Sequence, residues 1–266
     1  VKVLVTGHKG FIGSHAVERL QQLEIPYATY EWGDNTLPVD ESITHVMHFG
    51  AISSTAERNV EKVMDQNYDF TLMLANLCQR VNPNIVFQFS SSASIYGLGD
   101  NFSETAPVDP KSPYAWSKYL AEHELLRRQF SLRSVQAFRY FNVYGDKGED
   151  HKRGQASPQH TFRKQAEENG VIRLFEFSGI YKRDFIHVNQ VLDYQFKFLN
   201  IHESGVWNIG SGDATSFRDI ALGIAKKYGA SISYIPMPNW LKANYQRYTC
   251  ADLRRLKQTL LDYSAS

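Results

Sequence analysis

Tyr114-Ala-Trp-Ser-Lys118 sets a phenol and an ammonium four residues apart, a spacing that puts both on one face of a helix. A tyrosine with an ordinary pKa of about 10 is a poor base near neutrality. A neighbouring cation favours the phenolate and lowers that value, so the pair can move a proton to or from a hydroxyl or carbonyl. The same spacing is common on solvated helix faces, and the weight of this one comes from its company.

The chain opens on Lys2-Val-Leu-Val-Thr6, an apolar run of buried-strand type. Gly7-His-Lys-Gly10-Phe-Ile-Gly13 follows, then an amphipathic stretch, Ser14 to Leu23, with Ala16, Val17 and Leu20 at helical spacing. Strand, glycine turn and helix in that order predict a dinucleotide site. Gly7 allows the tight turn, Gly10 lets a diphosphate approach the backbone, and Gly13 lets helix and strand pack closely. The helix start supplies free N–H groups and partial positive charge. A second strand, Tyr27 to Tyr30, ends at Glu31, about 20 residues past the loop, where an acid binds the adenosine ribose hydroxyls. That carboxylate would repel a 2′-phosphate, and no Lys or Arg lies between Glu31 and Thr44 to offset it. NAD is therefore expected over NADP.

The bulk properties exclude several classes. With 266 residues, 42% of them hydrophobic, the chain can build a sizeable core. A net charge of +1 gives no case for nucleic acid or an anionic membrane as partner. No apolar run is long enough to span a bilayer, and a chain that starts in a strand shows no signal peptide, so a cytoplasmic location is expected. Cys78 and Cys250 stand alone and are expected to be reduced thiols. His45 and His48, in a core strand, and His151, His160 and His187 have no metal spacing, and no metal is expected.

Further strands are predicted at His45–Phe49, Ile85–Phe89, Val135–Tyr140, Arg173–Phe175, Val206–Ile209 and Ile232–Ile235. Helices are predicted at Val60–Cys78, Tyr114–Gln129, about Thr161–Asn169, Ser216–Tyr228 and from Ala251 onward. Asp146 to Gln159 reads as a mobile polar loop, and Asp184 to Asn200 as a return to the main sheet layer. Alternating strands and helices imply an α/β fold, a doubly wound parallel (Rossmann) sheet with a smaller interleaved C-terminal substrate lobe. Residues 1–144 and 185–212 form the expected dinucleotide-binding domain, and 145–184 and 213–266 the sugar lobe. The glycine loop, Gly50–Ser54, Ser90–Ser94 and Asn142 all fall at carboxyl ends of strands, where such sheets bind ligands.

Thr6-Gly-x-x-Gly-x-x-Gly13, Ser90-Ser-Ser-Ala-Ser-Ile-Tyr-Gly97, Tyr114-x-x-x-Lys118, Arg139-Tyr-Phe-Asn-Val-Tyr-Gly145 and Arg183-Asp-Phe-Ile-His-Val188 resemble the extended short-chain dehydrogenase/reductases, the NAD-dependent epimerases and dehydratases of nucleotide-activated sugars. Within them, Phe49-Gly-Ala-Ile-Ser-Ser54, His151-Lys152, Leu174-Phe-Glu-x-Ser178, Lys182-Arg-Asp-Phe185, Tyr234-Ile-Pro-x-Pro238 and Leu241-Lys-x-x-Tyr245-Gln are similar to the ADP-glycero-manno-heptose 6-epimerases. That family inverts one carbon of an ADP-heptose used for lipopolysaccharide. The resemblance implies transient oxidation of a sugar carbon to a carbonyl and return of the hydride to its other face. It makes Tyr114 the first acid/base, Lys118 its partner and a holder of the nicotinamide ribose, and Ser92 a donor to the reacting oxygen, with Ser91 and Ser94 as rivals. Lys152 matches the second acid/base, with Lys147 as a rival. A solvated loop charge or a diphosphate contact remains open for Lys152. The further cofactor contacts it implies are Phe11, Ile12, Phe49, Gly50, Ala51, Ser53, Asn67, Ser90 and Val143. For the substrate it implies Asn142, Phe175, Ser178, Arg183 and Tyr245. Arg183 would grip a phosphate with its planar fork or, alternatively, pair with Asp184 to brace the lobes.

One region departs from the pattern. Only thirteen residues, Trp32 to Thr44, separate the second strand from the His45 strand. Thr36–Val39 is expected to keep a short strand, with Asp40 near the adenine, while the helix found there in the family is missing. A sheet face is then uncovered or covered by a partner subunit, and a homo-oligomer is expected. The family leaves NADP possible. Another nucleotide-sugar epimerase, a dehydratase, or a trimmed non-catalytic NAD-binding protein are the competing readings. The Asp-Glu pair that a dehydratase sets beside its Ser or Thr is absent at Ser92-Ala-Ser94.

Overall fold

The computed structural model describes residues 1–128, 130–239 and 245–264. Six parallel strands form the main sheet: β1 (Val3–Thr6), β2 (Tyr27–Tyr30), β3 (His45–His48), β4 (Val86–Ser92), β5 (Ser134–Tyr140) and β9 (Gly205–Ile209), in the order β2-β1-β3-β4-β5-β9. Side chains alternate across its faces. Val3 and Val5 pack with Ala16 and Leu20 of α1 (Phe11–Gln22) and Leu192 of α6 (Val188–Lys197). Leu4 and Val46 point the other way, into a core with Leu74 of α3 (Phe70–Val81) and Ala121 and Leu125 of α4 (Pro113–Arg127). Covered on both faces, the inner strands β1, β3, β4 and β5 are buried almost throughout, as strands of parallel sheets are.

The smaller part is built from two minor sheets. β6 (Asn142–Tyr144) lies parallel to β8 (Lys182–His187), which pairs antiparallel with β10 (Ala214–Ser216). β7 (Val171–Phe175) pairs with β11 (Ser231–Ile235) and is covered by α5 (Pro158–Asn169) and α7 (Phe217–Tyr228). A last helix, α8 (Arg254–Ser264), closes the β9 edge of the main sheet, with Leu256 beside Trp207 and the indole N–H of Trp207 donating to Thr259 Oγ1 at 3.0 Å. No described helix is long and apolar enough to cross a membrane.

Several expectations need correction. Thr36–Val39 forms no strand and runs as irregular chain, with Leu37 and Val39 laid on the core in place of a helix. Asp40 is at the amino end of the sheet, 3.7 Å from Lys2 Nζ and hydrogen-bonded to Ser42, so it is far from where adenine would lie. The stretch Asp184–Asn200 is divided. β8 belongs to a minor sheet, and only α6 and the turn after it reach the main one. The 146–159 region is folded, with a 3₁₀ turn at Asp150–Gln155 and α5 starting at Pro158. The helix predicted over Val60–Cys78 is two pieces, α2 (Val60–Met64) and α3, joined by a wide π-turn at Asp65–Asp69. The last helix starts at Arg254, not Ala251. Gln129 and the Leu241-Lys242 part of the Tyr245 motif lie outside the described residues.

Candidate active site

The glycine turn is held by backbone contacts that leave no room for side chains. Gly7 has φ +70°, and a Cβ there would sit 2.6 Å from Gly50 Cα; one on Gly13 would sit 2.1 Å from the Gly7 carbonyl. The turn therefore touches the 49–54 loop directly, joining Gly7, Gly10, Gly13, Phe49 and Gly50. α1 starts at Gly10 with no side-chain cap, so its first N–H groups remain for an anion. Glu31 accepts the Lys9 N–H at 3.0 Å and lies 3.8 Å from His8 Nδ1, which is buried without a hydrogen bond among the described residues. A carboxylate is thus fixed beside the turn, where a ribose diol would need an acceptor. These features fit a dinucleotide.

At the carboxyl end of β4, Ser112 and Pro113 start α4, the serine accepting the Ala115 N–H at 3.1 Å as an N-cap should. Tyr114 and Lys118 thereby occupy the first two turns, on one face. Tyr114 is half-buried, and Ser92 lies close enough to its phenol to act on it. The serine rivals separate. Ser91 Oγ donates to Glu122 at 2.6 Å and is committed inside the core, whereas Ser92 Oγ accepts only the Ser94 N–H, at 3.2 Å, besides its link to the phenol. Ser94 Oγ is buried without a partner among the described residues. One expectation is corrected: the phenol is raised, not lowered. Burial outweighs the lowering effect of Ser92, and Lys118 yields instead. Its ammonium, 3% exposed and 5.0 Å over the Phe89 ring, is pushed down to about 7 by loss of hydration.

Lys152 lies elsewhere. Its ammonium is 3.2 Å from Glu149 and stands 3.7 Å over the ring of Phe11, at the head of α1. Burial lowers its pKa and Glu149 opposes the shift. No hydrogen bond joins it to Tyr114 or Ser92 among the described residues. Lys147 is tied to Glu18 on the surface at 2.6 Å. Glu149, fully buried, organises the whole turn: it accepts from the Gly145 N–H (3.2 Å), the Ser157 N–H (2.8 Å) and Ser157 Oγ (2.7 Å). Sequence reasoning missed this residue, since an acid in a polar, glycine-bearing stretch carries no periodic signal.

Arg183 and Tyr245 come together across the smaller part, the guanidinium 5.0 Å over the phenol ring and 5.8 Å over Phe217. Arg183 is 9% exposed, its guanidinium donates to the Lys182 carbonyl at 2.9 Å, and no carboxylate pairs with it among the described residues. The alternative of an Arg183–Asp184 brace does not form. Asp184 accepts instead from the N–H groups of Ser211 (2.6 Å), Gly212 (2.9 Å) and Ala251 (2.9 Å). Ser178 Oγ is buried without a partner among the described residues. Phe175 is half-buried on β7, Asn142 exposed and Val143 half-buried on β6. On the cofactor side, Asn67 pins the 49–54 loop through Ile52, Ser90 hydrogen-bonds Tyr140 at 3.4 Å, Ala51 and Ile12 are half-buried, and Ser53 is exposed. No group of His, Cys, Asp and Glu among the described residues could hold a metal ion.

A family model, the NAD-dependent epimerase/dehydratase family, matches residues 3–210. The chain belongs to this family. It is accordingly an NAD-dependent enzyme. It is similar to the ADP-L-glycero-D-manno-heptose-6-epimerase of Alkalilimnicola ehrlichii, 34% identical over 96% of this chain and 90% of that protein. It is similar likewise to that of Brachyspira hyodysenteriae, 33% identical with the same coverage. Among solved structures, Helicobacter pylori ADP-L-glycero-D-manno-heptose-6-epimerase superposes with a TM-score of 0.84 at 24% identity, over 98% of this chain and 90% of that one, a likeness of fold.

Proposed function

We propose that this enzyme is an ADP-glycero-manno-heptose 6-epimerase. The observation that carries the reading is the convergence of Ser92, Tyr114 and Lys118 at one end of the sheet, beside a glycine turn shaped for a dinucleotide, in a chain a third identical to heptose epimerases along its length. NAD, when bound, supplies removal and return of a hydride at a sugar carbon. Gly7, Gly10, Gly13 and the head of α1 hold the diphosphate, and Glu31 takes the ribose diol and disfavours a 2′-phosphate. Tyr114 exchanges the sugar hydroxyl proton, and Ser92 hydrogen-bonds the oxygen as charge develops on it. The main sheet and its helices form the dinucleotide part, the expected 1–144 with 185–212 less β6 and the end of β8, which lie in a minor sheet, and with α8 added at the β9 edge; the two minor sheets with α5 and α7 form the part that receives the sugar nucleotide.

Inversion needs protons at both faces of a carbonyl, and one fixed phenol serves one face. Lys152, desolvated and held by Glu149, is the second acid/base. Its position over Phe11 favours a second reading, a contact to the cofactor diphosphate. Arg183, buried without a carboxylate, takes a phosphate of the substrate, with Ser178 and Tyr245 beside it. The test is incubation with ADP-heptose and, separately, UDP-hexoses, read by sugar NMR. Inversion of the heptose carbon is expected; turnover of a UDP-hexose alone would overturn the substrate, and turnover of neither the enzyme reading. In Lys152→Ala, loss of epimerisation with unchanged NAD affinity supports the second base, whereas weakened NAD affinity with residual epimerisation assigns the diphosphate role.

A further inference from the structure

A polar ring inside a sheet must find partners, and His48, 2% exposed at the end of β3, finds two. Its Nδ1 lies 2.6 Å from Thr6 Oγ1 and its Nε2 2.8 Å from Thr71 Oγ1. The neighbours fix where the protons go. Thr71 Oγ1 is 2.7 Å from the Asn67 carbonyl, which can only accept, so the threonine proton is spent there and Nε2 must be the donor. Nδ1 is then the acceptor and takes the Thr6 hydroxyl proton. Thr6 Oγ1 in turn accepts the Gly50 N–H at 3.2 Å.

The line continues from within the π-turn. The Asn67 side chain accepts the Ile52 N–H at 2.8 Å and donates to the Ile52 carbonyl and to Ser117 Oγ, both at 3.0 Å. Ser117 Oγ donates to the Tyr114 carbonyl at 2.8 Å. A directed run of hydrogen bonds, bridged covalently at Asn67 between its backbone carbonyl and its side-chain amide, therefore links the glycine-turn strand, the 49–54 loop and the helix that carries Tyr114 and Lys118. Around His48 the other neighbours are the rings of Phe70, Phe87 and Phe89, at centroid distances of 5.7, 6.1 and 6.0 Å. β1 and α3 offer it only the two hydroxyls, and the charge acting on it is the ammonium of Lys118 from α4. Burial and that ammonium hold the imidazole neutral, at about 3.

We propose that His48 and Thr71 are positioning residues: a neutral imidazole in one tautomer sets the distance between the dinucleotide turn and the acid/base helix. This rests on the acid/base role of Tyr114 proposed above. A line with every donor and acceptor matched has one arrangement. A hydroxyl lost from it frees the loop and the helix to shift relative to each other, and small misplacements of reacting groups are costly.

The test compares Thr71→Val, nearly isosteric, with Thr71→Ser in the full chain with NAD. The valine variant is expected to lose about tenfold to a hundredfold in kcat with KM little changed, and the serine variant to recover most of it. Hydrogen exchange of the valine variant should quicken in the 49–54 loop and the first turn of α4 while β7 and β11 stay as slow as before. A merely structural role would quicken all slow amides together and would overturn the proposal, as would unchanged kcat in the valine variant. Ring ¹⁵N NMR of the unmodified protein should show one imidazole, absent in His48→Gln, protonated at Nε2 and not titrating between about pH 5 and 8. Titration in that range, or a proton on Nδ1, overturns it even if the valine variant does not fold. If the wild type turns over no nucleotide sugar, the exchange and NMR arms still decide, so failure of the functional reading is separable from failure of this one.

Discussion

Arg139 and Arg183 are both buried arginines on strands that run toward the site, and they are partnered in opposite ways. Arg139, on the proposed dinucleotide side, is gripped by both carboxylate oxygens of Glu122, by Tyr96 Oη at 2.9 Å and by the Glu104 carbonyl at 3.2 Å. Arg183, on the proposed sugar side, has one carbonyl and two ring faces among the described residues. The serines repeat the contrast: Ser91 is bound to Glu122, whereas Ser178 Oγ has no partner among the described residues. A polar group buried without partners is costly, and we read the Arg183 wall as completed by the proposed substrate, whereas the Arg139 wall holds its charge without one.

The contrast breaks most visibly if Glu122 is removed. Glu122→Ala leaves Arg139 buried without its counter-charge and should cost about 3–5 kcal/mol of stability, measured by denaturant unfolding; a loss under 1 kcal/mol, typical of an exposed pair, would mean that the dinucleotide wall is no more closed than the other. Arg183→Met removes a charge that no described carboxylate balances. Unfolding stability should hold or rise, while ADP binding by calorimetry weakens about tenfold to a hundredfold, as expected for charge-assisted hydrogen bonds. Unchanged ADP affinity would remove Arg183 from the substrate site. The smallest effect is one of pH. The unfolded chain keeps the Lys118 proton into the ordinary lysine range, and the folded chain releases it near 7. The unfolded state thus binds more protons above pH 7, and stability gains with rising pH there. Lys118→Met should abolish this component of the slope and raise the melting temperature at pH 7 by a few degrees; a variant with the parent's slope would show Lys118 fully charged in the fold.

Much of this was readable from residue order, and the reasons are specific. The β1–turn–α1 unit announces itself because three glycines are each needed by a contact, and Ser112-Pro113 marks where the helix of Tyr114 begins. Thr36–Val39 misled because a short β-compatible run forms a strand only with a neighbour to pair with. β2 is the margin of the sheet here, and the segment packs its apolar side chains without pairing. The choice among Ser91, Ser92 and Ser94 could not be made from alternation, since the deciding facts are a carboxylate from α4 and a phenol from its first turn. The rise of the Tyr114 phenol depends on burial, which a Tyr-x-x-x-Lys spacing does not encode. Arg183-Asp184 invites an ion pair by adjacency, but neighbours along a strand point to opposite faces.

The wide turn at Asp65–Asp69 carries a consequence for how chains of this kind can vary. A helix advances about 100° per residue. Deleting one residue there would give a more regularly bonded helix and swing Phe70, Leu74 and Cys78 through more than a quarter circle relative to Val63. Local backbone regularity and global phase are opposed in this segment, and phase wins. Insertions and deletions among relatives should therefore collect in stretches such as 32–44, where the chain only has to arrive, and spare 65–69, where it has to arrive at a set bearing.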